Sequence, residues 1–394
     1  MPLTPRDAFL QFGQVLQQHL FPQLEAAVGH LSPHLQLLAS VISLVPLGRL
    51  LARSRASTGR PAQDRAALAT AFVAKAILNL PTTRDLIDRL RVDQPLRLFC
   101  GWRSPLAIPH ESKFSRAFAE FAASELPQQL HEAVVESTQR PRLIGHIARD
   151  STAIPARERV AEALLEQKRN AKKKNKQAKP GRPKGRNGAF RKAKATERGT
   201  RLKRQRHQKL SAMLAALPRQ CDIGAKKNSQ GNEQYWRGYK LHLDVADGQL
   251  PISAVLTSAS VHDSQVAIPL MTLTSQRVQY LYELMDSAYD AEPIHLQSRQ
   301  LQHVPIIAIH SRRGTKKPSQ MPKVFASKPT PQLTWAQEER YKTRTMSERV
   351  NARLKDEFGA SHLRVRGAVK VMAHLMFGVL ALTVDQWMRL QLTG

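Results

Sequence analysis

The chain has only two cysteines, Cys100 and Cys221, and no Cys-x-x-Cys pair. Neither a disulfide framework nor a thiolate zinc site fits that usage, and the expectation is a reducing cytosol. Aromatic residues make up 6%, too few for a platform on which single-stranded bases stack in series. No Gly-rich loop leads into a helix pattern, which argues against an ATP cradle. The longest apolar runs, Leu37–Leu47 and Val371–Val384, are too short to span a bilayer and are interrupted by Pro46 and His374. Met1–Gln11 lacks the basic-then-apolar order of an export signal. Acidic residues are scarce as well: 31 Asp+Glu face 61 Lys+Arg, a formal net charge of +30.

That field attracts polyanions at long range, nucleic acid first and an acidic membrane surface as the rival. With 394 residues, 42% of them hydrophobic, the chain can still bury real cores in two or three domains. The excess charge is concentrated. Lys168–Lys209 holds 19 basic residues and one acid, Glu197, a net of +18, leaving +12 for the other 352 residues. This block has no apolar periodicity and is expected to be disordered over about residues 166–210 until it meets DNA or RNA. Inside it, Pro180-Gly181-Arg182-Pro183-Lys184-Gly185-Arg186 is similar to an AT-hook core, which lays its cations along a narrow minor groove; a plain basic linker is the other reading. Arg182, Lys184 and Arg186 are the candidate DNA contacts there.

Residues 1–140 read as an all-helical domain, with Phe9, Phe12, Val15 and Leu16, then Phe72, Ala76 and Leu80, at helical spacing. Such a bundle is either purely structural or the part that recognises a DNA end. Thr83 and Ser112 are the expected caps of two of its helices. After it the texture changes. Arg142–Ala148 reads as a strand with Asp150 at its tip, and Tyr239–Val245 and Ile252–Thr257 flank the Asp247-Gly248 turn signal as a hairpin. A helix over Val261–Leu273 follows, opened by Asp263 as N-cap, then a strand over Val278–Met285 ending at Asp286, and another over Val304–Ile309. This order predicts an α/β domain over 141–370, a mixed sheet with helices on both faces, and a C-terminal helix over 371–394 packed on it. Two carboxylates then sit at strand ends, where open α/β sheets place their sites.

A further helix is predicted from Trp335 to Phe358, with capping-box spacing at Thr334 and Gln337. On it Tyr341, Arg344, Glu348 and Lys355 share a stripe about 60° wide. A solvated face with i,i+4 ion pairs such as Arg344–Glu348 is the plain reading. The spacing Tyr341-x2-Arg344-x3-Glu348-x6-Lys355 resembles, position for position, the YREK signature of bacterial insertion-sequence transposases of the DDE class. Asp150 in Asp-Ser-Thr, Asp286 in Asp-Ser-Ala-Tyr-Asp, and Ala259-Ser260-Val261-His262-Asp263-Ser264 are also similar to that family. So are Arg84–Trp102 and Pro109–Phe118, to the helical module found in front of its catalytic domain.

The resemblance implies an RNase H-like catalytic fold and a metal-dependent DNA transposase, acting on double-stranded DNA at element ends and target. Asp150, Asp286 and Glu348 would be the catalytic carboxylates and the ligands of two Mg2+ ions, for which Mn2+ can substitute. Hard cations take oxygen ligands, and two of them can both activate water and stabilise a leaving oxygen. Arg344 and Lys355 would hold phosphates and Tyr341 would stack near the scissile nucleotide. A homodimer at paired ends and a cytoplasmic, nucleoid-associated location follow from the same likeness. An inactive relic that only binds DNA is the alternative. Asp290 is expected to cap the next helix, Asp244 and Asp247 to face solvent, and His262 to cap. Only 62 residues separate Asp286 from Glu348, too few for the strand-rich insertion that assists a DNA-hairpin intermediate in some members. The basic block is expected to clamp flanking or target DNA: deleting Lys168–Lys209 should weaken DNA binding and flatten its dependence on salt, measured by binding titrations over a range of KCl; an unchanged slope would refute the clamp.

Overall fold

The computed structural model describes residues 15–52, 64–160, 201–227, 232–308 and 333–393. Phe9, Phe12, Ile309 and the cations Arg182, Lys184 and Arg186 lie outside them.

Among the described residues eight α-helices come first: α1 (Phe21–Val28), α2 (Pro33–Leu44), α3 (Leu47–Ala52), α4 (Arg65–Ile77), α5 (Thr83–Val92), α6 (Gln94–Phe99), α7 (Glu111–Ala123) and α8 (Leu126–Gln139). At α2, α4, α5, α6 and α7 the start is set by a side chain that accepts from an orphan backbone N–H group. Thr82, not Thr83, caps α5 in a reciprocal box with Asp85, and His110, not Ser112, caps α7. Helix α4 stops at Ile77, before Leu80.

Six strands follow among the described residues: β1 (Leu143–Pro155), β2 (Asp222–Lys227), β3 (Glu233–Ala246), β4 (Leu250–Ser258), β5 (Gln279–Met285) and β6 (Val304–Ile307). They form one sheet in the order β2-β3-β1-β5-β6, with β4 paired to β3. The pairings of β3 with β1, β2 and β4 are antiparallel, while β1–β5 and β5–β6 are parallel. The hairpin turn is where the Asp-Gly signal put it, with Gly248 and Gln249 both at positive φ. Strand β1 does not stop at Asp150 but runs on through Pro155, because residues 152–155 still find partners in β3. Strand β2 was not foreseen; it is too short and too polar to show period-two patterning.

The remaining helices are α9 (Leu210–Ala215), α10 (Ser264–Arg277), α11 (Glu292–Gln300), α12 (Trp335–Lys342), α13 (Thr345–Asp356) and α14 (Ala368–Thr393). Neighbouring residues of a strand point to opposite faces. Accordingly Arg149 meets Asp244, which also takes Thr274 of α10, whereas Asp150 meets Asn351 of α13. Helices therefore cover both faces, as an RNase H-like mixed sheet requires. The end of the basic block is ordered: residues 201–205 are helical, with Leu202 and Gln205 buried and Gln205 bonded to α10. Expected disorder to residue 210 is corrected accordingly, because Leu202 has apolar surface to bury against Ala267 and Ile268. The deletion proposed above should spare residues from Arg201 onward.

Helix α14 is long and apolar enough to cross a membrane by length and composition, which the shorter apolar run at 371–384 did not suggest. In the fold, 67% of its apolar window is buried. It packs on β4 and equally on α8, α4, α7 and α2. Phe377 from α14 joins Phe72 and Phe118, 5.9 Å from the former ring, so helical region and sheet share one contiguous core from Leu16 to Val384.

Beneath the sheet surface lies a buried ion cluster. Arg149 is 1% exposed and donates two bonds to Asp244, at 2.8 and 2.7 Å, and a longer one of 3.4 Å to Glu283. Thr274 and Tyr280 donate to the two carboxylates. Asp244 is thus fully buried rather than solvent-facing, because α10 covers β3. Asp247 is half-exposed and accepts from the His146 backbone and ring. Removing one partner of a buried ion network leaves uncompensated charge. Arg149→Ala should cost about 3–5 kcal/mol of stability, read from urea unfolding; a loss below about 1 kcal/mol would show that the cluster does not hold the sheet.

Candidate active site

In the parallel register of β1 and β5 the last pair is Arg149 with Met285. The next residue on each strand is a carboxylate, Asp150 and Asp286, so the two emerge side by side. Asp150 accepts a 3.1 Å bond from Asn351 Nδ2 on α13. Asp286 sits at the N-cap of a 3-10 turn, Ser287–Tyr289, and accepts from the Ala288 N–H at 2.9 Å. Burial lifts the Asp150 carboxyl to about 6, against the pull of the Ser151 N–H, Lys226 and Arg344, and Asp286 adds to the rise. Asp286 is raised as well, by burial first and by Asp263. Two desolvated carboxylates side by side resist ionising together, and a bound cation would relieve both.

The predicted single helix from Trp335 to Phe358 is two. Thr334 and Gln337 do form the capping box of α12, but the chain turns at Thr343-Arg344 before α13 begins. Tyr341 closes α12 and carries the Arg344 guanidinium 5.7 Å from its ring centroid. Arg344, Glu348 and Lys355 lie on α13 and its N-cap. Arg344 donates to Glu348 at 2.5 Å, with the arginine side chain 18% exposed and the glutamate 53%. The guanidinium also acts on Asp150 and Asp286. Lys355 is half-buried; desolvation and Lys226 lower its pKa, while Asp150 opposes them.

Asp150, Asp286, Tyr341, Arg344 and Lys355 are therefore gathered at one place, and Glu348 joins it through Arg344. Among the described residues no group of three His, Cys, Asp or Glu side chains is already close enough to hold a metal ion. The donors nonetheless fit a hard divalent cation: two neighbouring, half-desolvated carboxylates, with an exposed third on a helix beside them, tied down only by a surface ion pair of small worth.

Three groups escaped the sequence reading. Asn351 lies three residues after Glu348 and four before Lys355, in the middle of the same helical stripe; that spacing was its signal. It is buried, and its Oδ1 has no hydrogen-bond partner. Asp263 occupies the N-cap position of α10 but does not cap it. Its carboxylate instead takes Lys240 Nζ at 2.9 Å and the Ser151 hydroxyl at 3.0 Å. Burial alone would raise its pKa; His242 and Lys240 hold it below the usual carboxylate value. The capping role falls to His262, through Ser264. The third is Lys226 on β2, whose charge reaches Asp150, Asp286 and Lys355. Asp290 does not cap α11, where Ala291 takes the N-cap position; it pairs with His295.

Two family models match the chain. Residues 141–384 match the transposase DDE domain and residues 23–120 the transposase domain DUF772. The chain therefore belongs to the DDE transposase family, catalytic DNA transposases that generally use divalent metal ions. No curated protein and no solved structure matches it.

The raised Asp150 pKa fixes a pH dependence. Between its ordinary value of 3.8 and about 6 the folded state holds more protons than the unfolded state, so metal-free stability falls as pH rises through that window. Asp150→Asn removes the penalty. It should stabilise the metal-free protein by on the order of 1–3 kcal/mol near neutral pH and not at all below about pH 3.5, read from urea unfolding in EDTA.

Proposed function

We propose that this chain is the transposase of a bacterial insertion sequence. It binds the terminal inverted repeats, cuts the element ends in a metal-dependent reaction and joins the freed 3′-OH to target DNA. The observation that carries the reading is the emergence of Asp150 and Asp286 side by side from β1 and β5, with Asp150 bonded to α13, the helix that together with the end of α12 carries the Tyr-Arg-Glu-Lys spacing of the YREK signature.

Asp150 and Asp286 would hold the metal ions, Mg2+ with Mn2+ able to replace it, and Glu348 would complete the set once parted from Arg344. When bound, the ions supply an activated water and charge stabilisation for the leaving oxygen. The chain's own residues do the rest. Asn351 fixes the Asp150 carboxylate. Arg344, released to a phosphate, offers a bidentate fork, and Lys355 a point charge. Tyr341 supports the Arg344 plane and stacks beside the scissile nucleotide. In the first step water adds to phosphorus while the P–O3′ bond breaks, giving a 5′-phosphate and a 3′-OH. In the second, that 3′ oxygen attacks a target phosphodiester and displaces its 3′ oxygen. One P–O bond forms for each one broken, so no ATP is consumed.

Two ends must be held together, which supports a homodimer in the synaptic complex. A cytoplasmic protein associated with the nucleoid is consistent with the basic charge. Where described, the basic segment 166–210 contributes its ordered end; Arg182, Lys184 and Arg186 are proposed as flanking DNA contacts. Asp150→Ala, Asp286→Ala and Glu348→Ala should each abolish cleavage and joining of a duplex bearing the inverted repeats while leaving its binding intact. Joining retained in any of them would refute the assignment; a wild-type chain that binds but never joins would identify an inactive relic.

A further inference from the structure

Strand β2 and the first half of β3 form a two-stranded ribbon, with Ile223 opposite Arg237, Ala225 opposite Tyr235 and Lys226 opposite Gln234. Pairing with β1 reaches only to Gly238, and pairing with β4 starts at Tyr239. Two strands alone are marginally stable. Here the Trp236 ring presses on Gly224, where a Cβ would lie 2.4 Å from it, and its Nε1 donates to the Tyr239 carbonyl.

The ribbon carries surface that the fold does not use. Tyr235 is 65% and Ile223 41% exposed, on the same face as the exposed Arg237, while the exposed Lys226 belongs to the opposite face. Its course is also unusual. Asp150 pairs with Leu243 and Lys226 with Gln234, nine positions apart along β3, or ~30 Å in a straight strand. Gly238 pairs with Pro155, five residues beyond Asp150 on β1, so the ribbon extends past the end of the sheet from which the carboxylates emerge, and the charge of Lys226 is felt at Asp150, Asp286 and Lys355. Gly238 stands where the ribbon leaves the sheet: its φ is +147°, and a Cβ there would meet the Ile154 carbonyl at 2.2 Å.

Resting on the transposase reading, we propose that the β2–β3 ribbon is a DNA-contacting surface of this site, lying in a groove of the bound duplex while Lys226 positions a phosphate beside the scissile bond. A duplex groove admits a two-stranded ribbon. A lysine beside two carboxylates and a second lysine is placed to bind an anion bridging those charges. The exposed Tyr235 ring and Ile223 supply apolar contact with sugars and base edges, and Arg237 a further phosphate contact.

The test uses the full chain, a random-sequence duplex of about three helical turns, and fluorescence anisotropy over a range of KCl without divalent metal. Lys226→Ala should make the slope of log affinity against log salt shallower by about 0.9, one phosphate contact. Lys226→Arg should keep the wild-type slope. Tyr235→Ala should lower affinity at an unchanged slope. In the joining reaction Lys226→Ala should raise KM more than it lowers kcat, with rescue by arginine. A wild-type slope and KM in Lys226→Ala would overturn the proposal. So would ribbon variants that change the sedimentation of the protein but not its DNA affinity, since the face would then serve a second protein chain. The binding arms need no chemistry, so a wild-type chain without joining activity would sink the transposase reading and leave the ribbon result standing.

Discussion

Everything at the site rests on one buried arginine. Arg149 sits on the central strand, one residue before Asp150, and its guanidinium clamps Asp244 of β3 while reaching Glu283 of β5. Hydrogen bonding and charge complementarity within a dry interior make such a cluster intolerant of misplacement, because any shift strands a charge. The cluster thereby fixes the positions of three strands at once. With β1 and β5 held in register, Asp150 and Asp286 must leave the sheet together. Their repulsion and desolvation are then carried by packing elsewhere, the usual arrangement at a site whose function needs uncomfortable groups.

The second face of β1 contributes in a complementary way. Asn351 anchors Asp150 to α13, and the same helix presents Glu348 and Lys355 about two turns apart, with Arg344 at its N-cap. The sheet thus supplies fixed carboxylates, while the helix supplies groups with longer reach. Arg344 is shared between Glu348 and the carboxylate pair, so the position of Glu348 depends on what else the guanidinium binds. Cations and carboxylates thus stand close together at the site, with Arg344, Lys355 and Lys226 all acting on Asp150.

Much of this was legible in the sequence. The strands β4 and β5 and the second half of β3 were placed closely, as were the Asp247-Gly248 turn and the Thr334 capping box, because short-range chemistry decides them; the first half of β3, from Glu233 to Gly238, was not legible as strand. The Tyr-Arg-Glu-Lys spacing drew attention to the helix surface that lies against Asp150, although the helix breaks at Thr343-Arg344. What failed depended on distant partners. Asp244 looked like a surface acid of a hairpin, yet α10 buries it against an arginine far away in the chain. Asp263 carried a capping signal and was drawn away from the backbone by Lys240 and Ser151. Strand β2 has little pattern of its own and exists because β3 offers it an edge. Asn351 was missed for a different reason: amides attract less notice than charged residues, although its helical position was plain.

Phe377 stacks on Phe72 at 5.9 Å, across some three hundred residues of chain. Helix α14 therefore completes a core begun by α2, α4, α7 and α8, and the early helices have no finished interior until the last helix has left the ribosome. Contacts of such long sequence separation slow folding. A chain cut short before α14 would lose the helical region and the sheet together. Translation itself thus withholds a competent protein until synthesis of that helix is done.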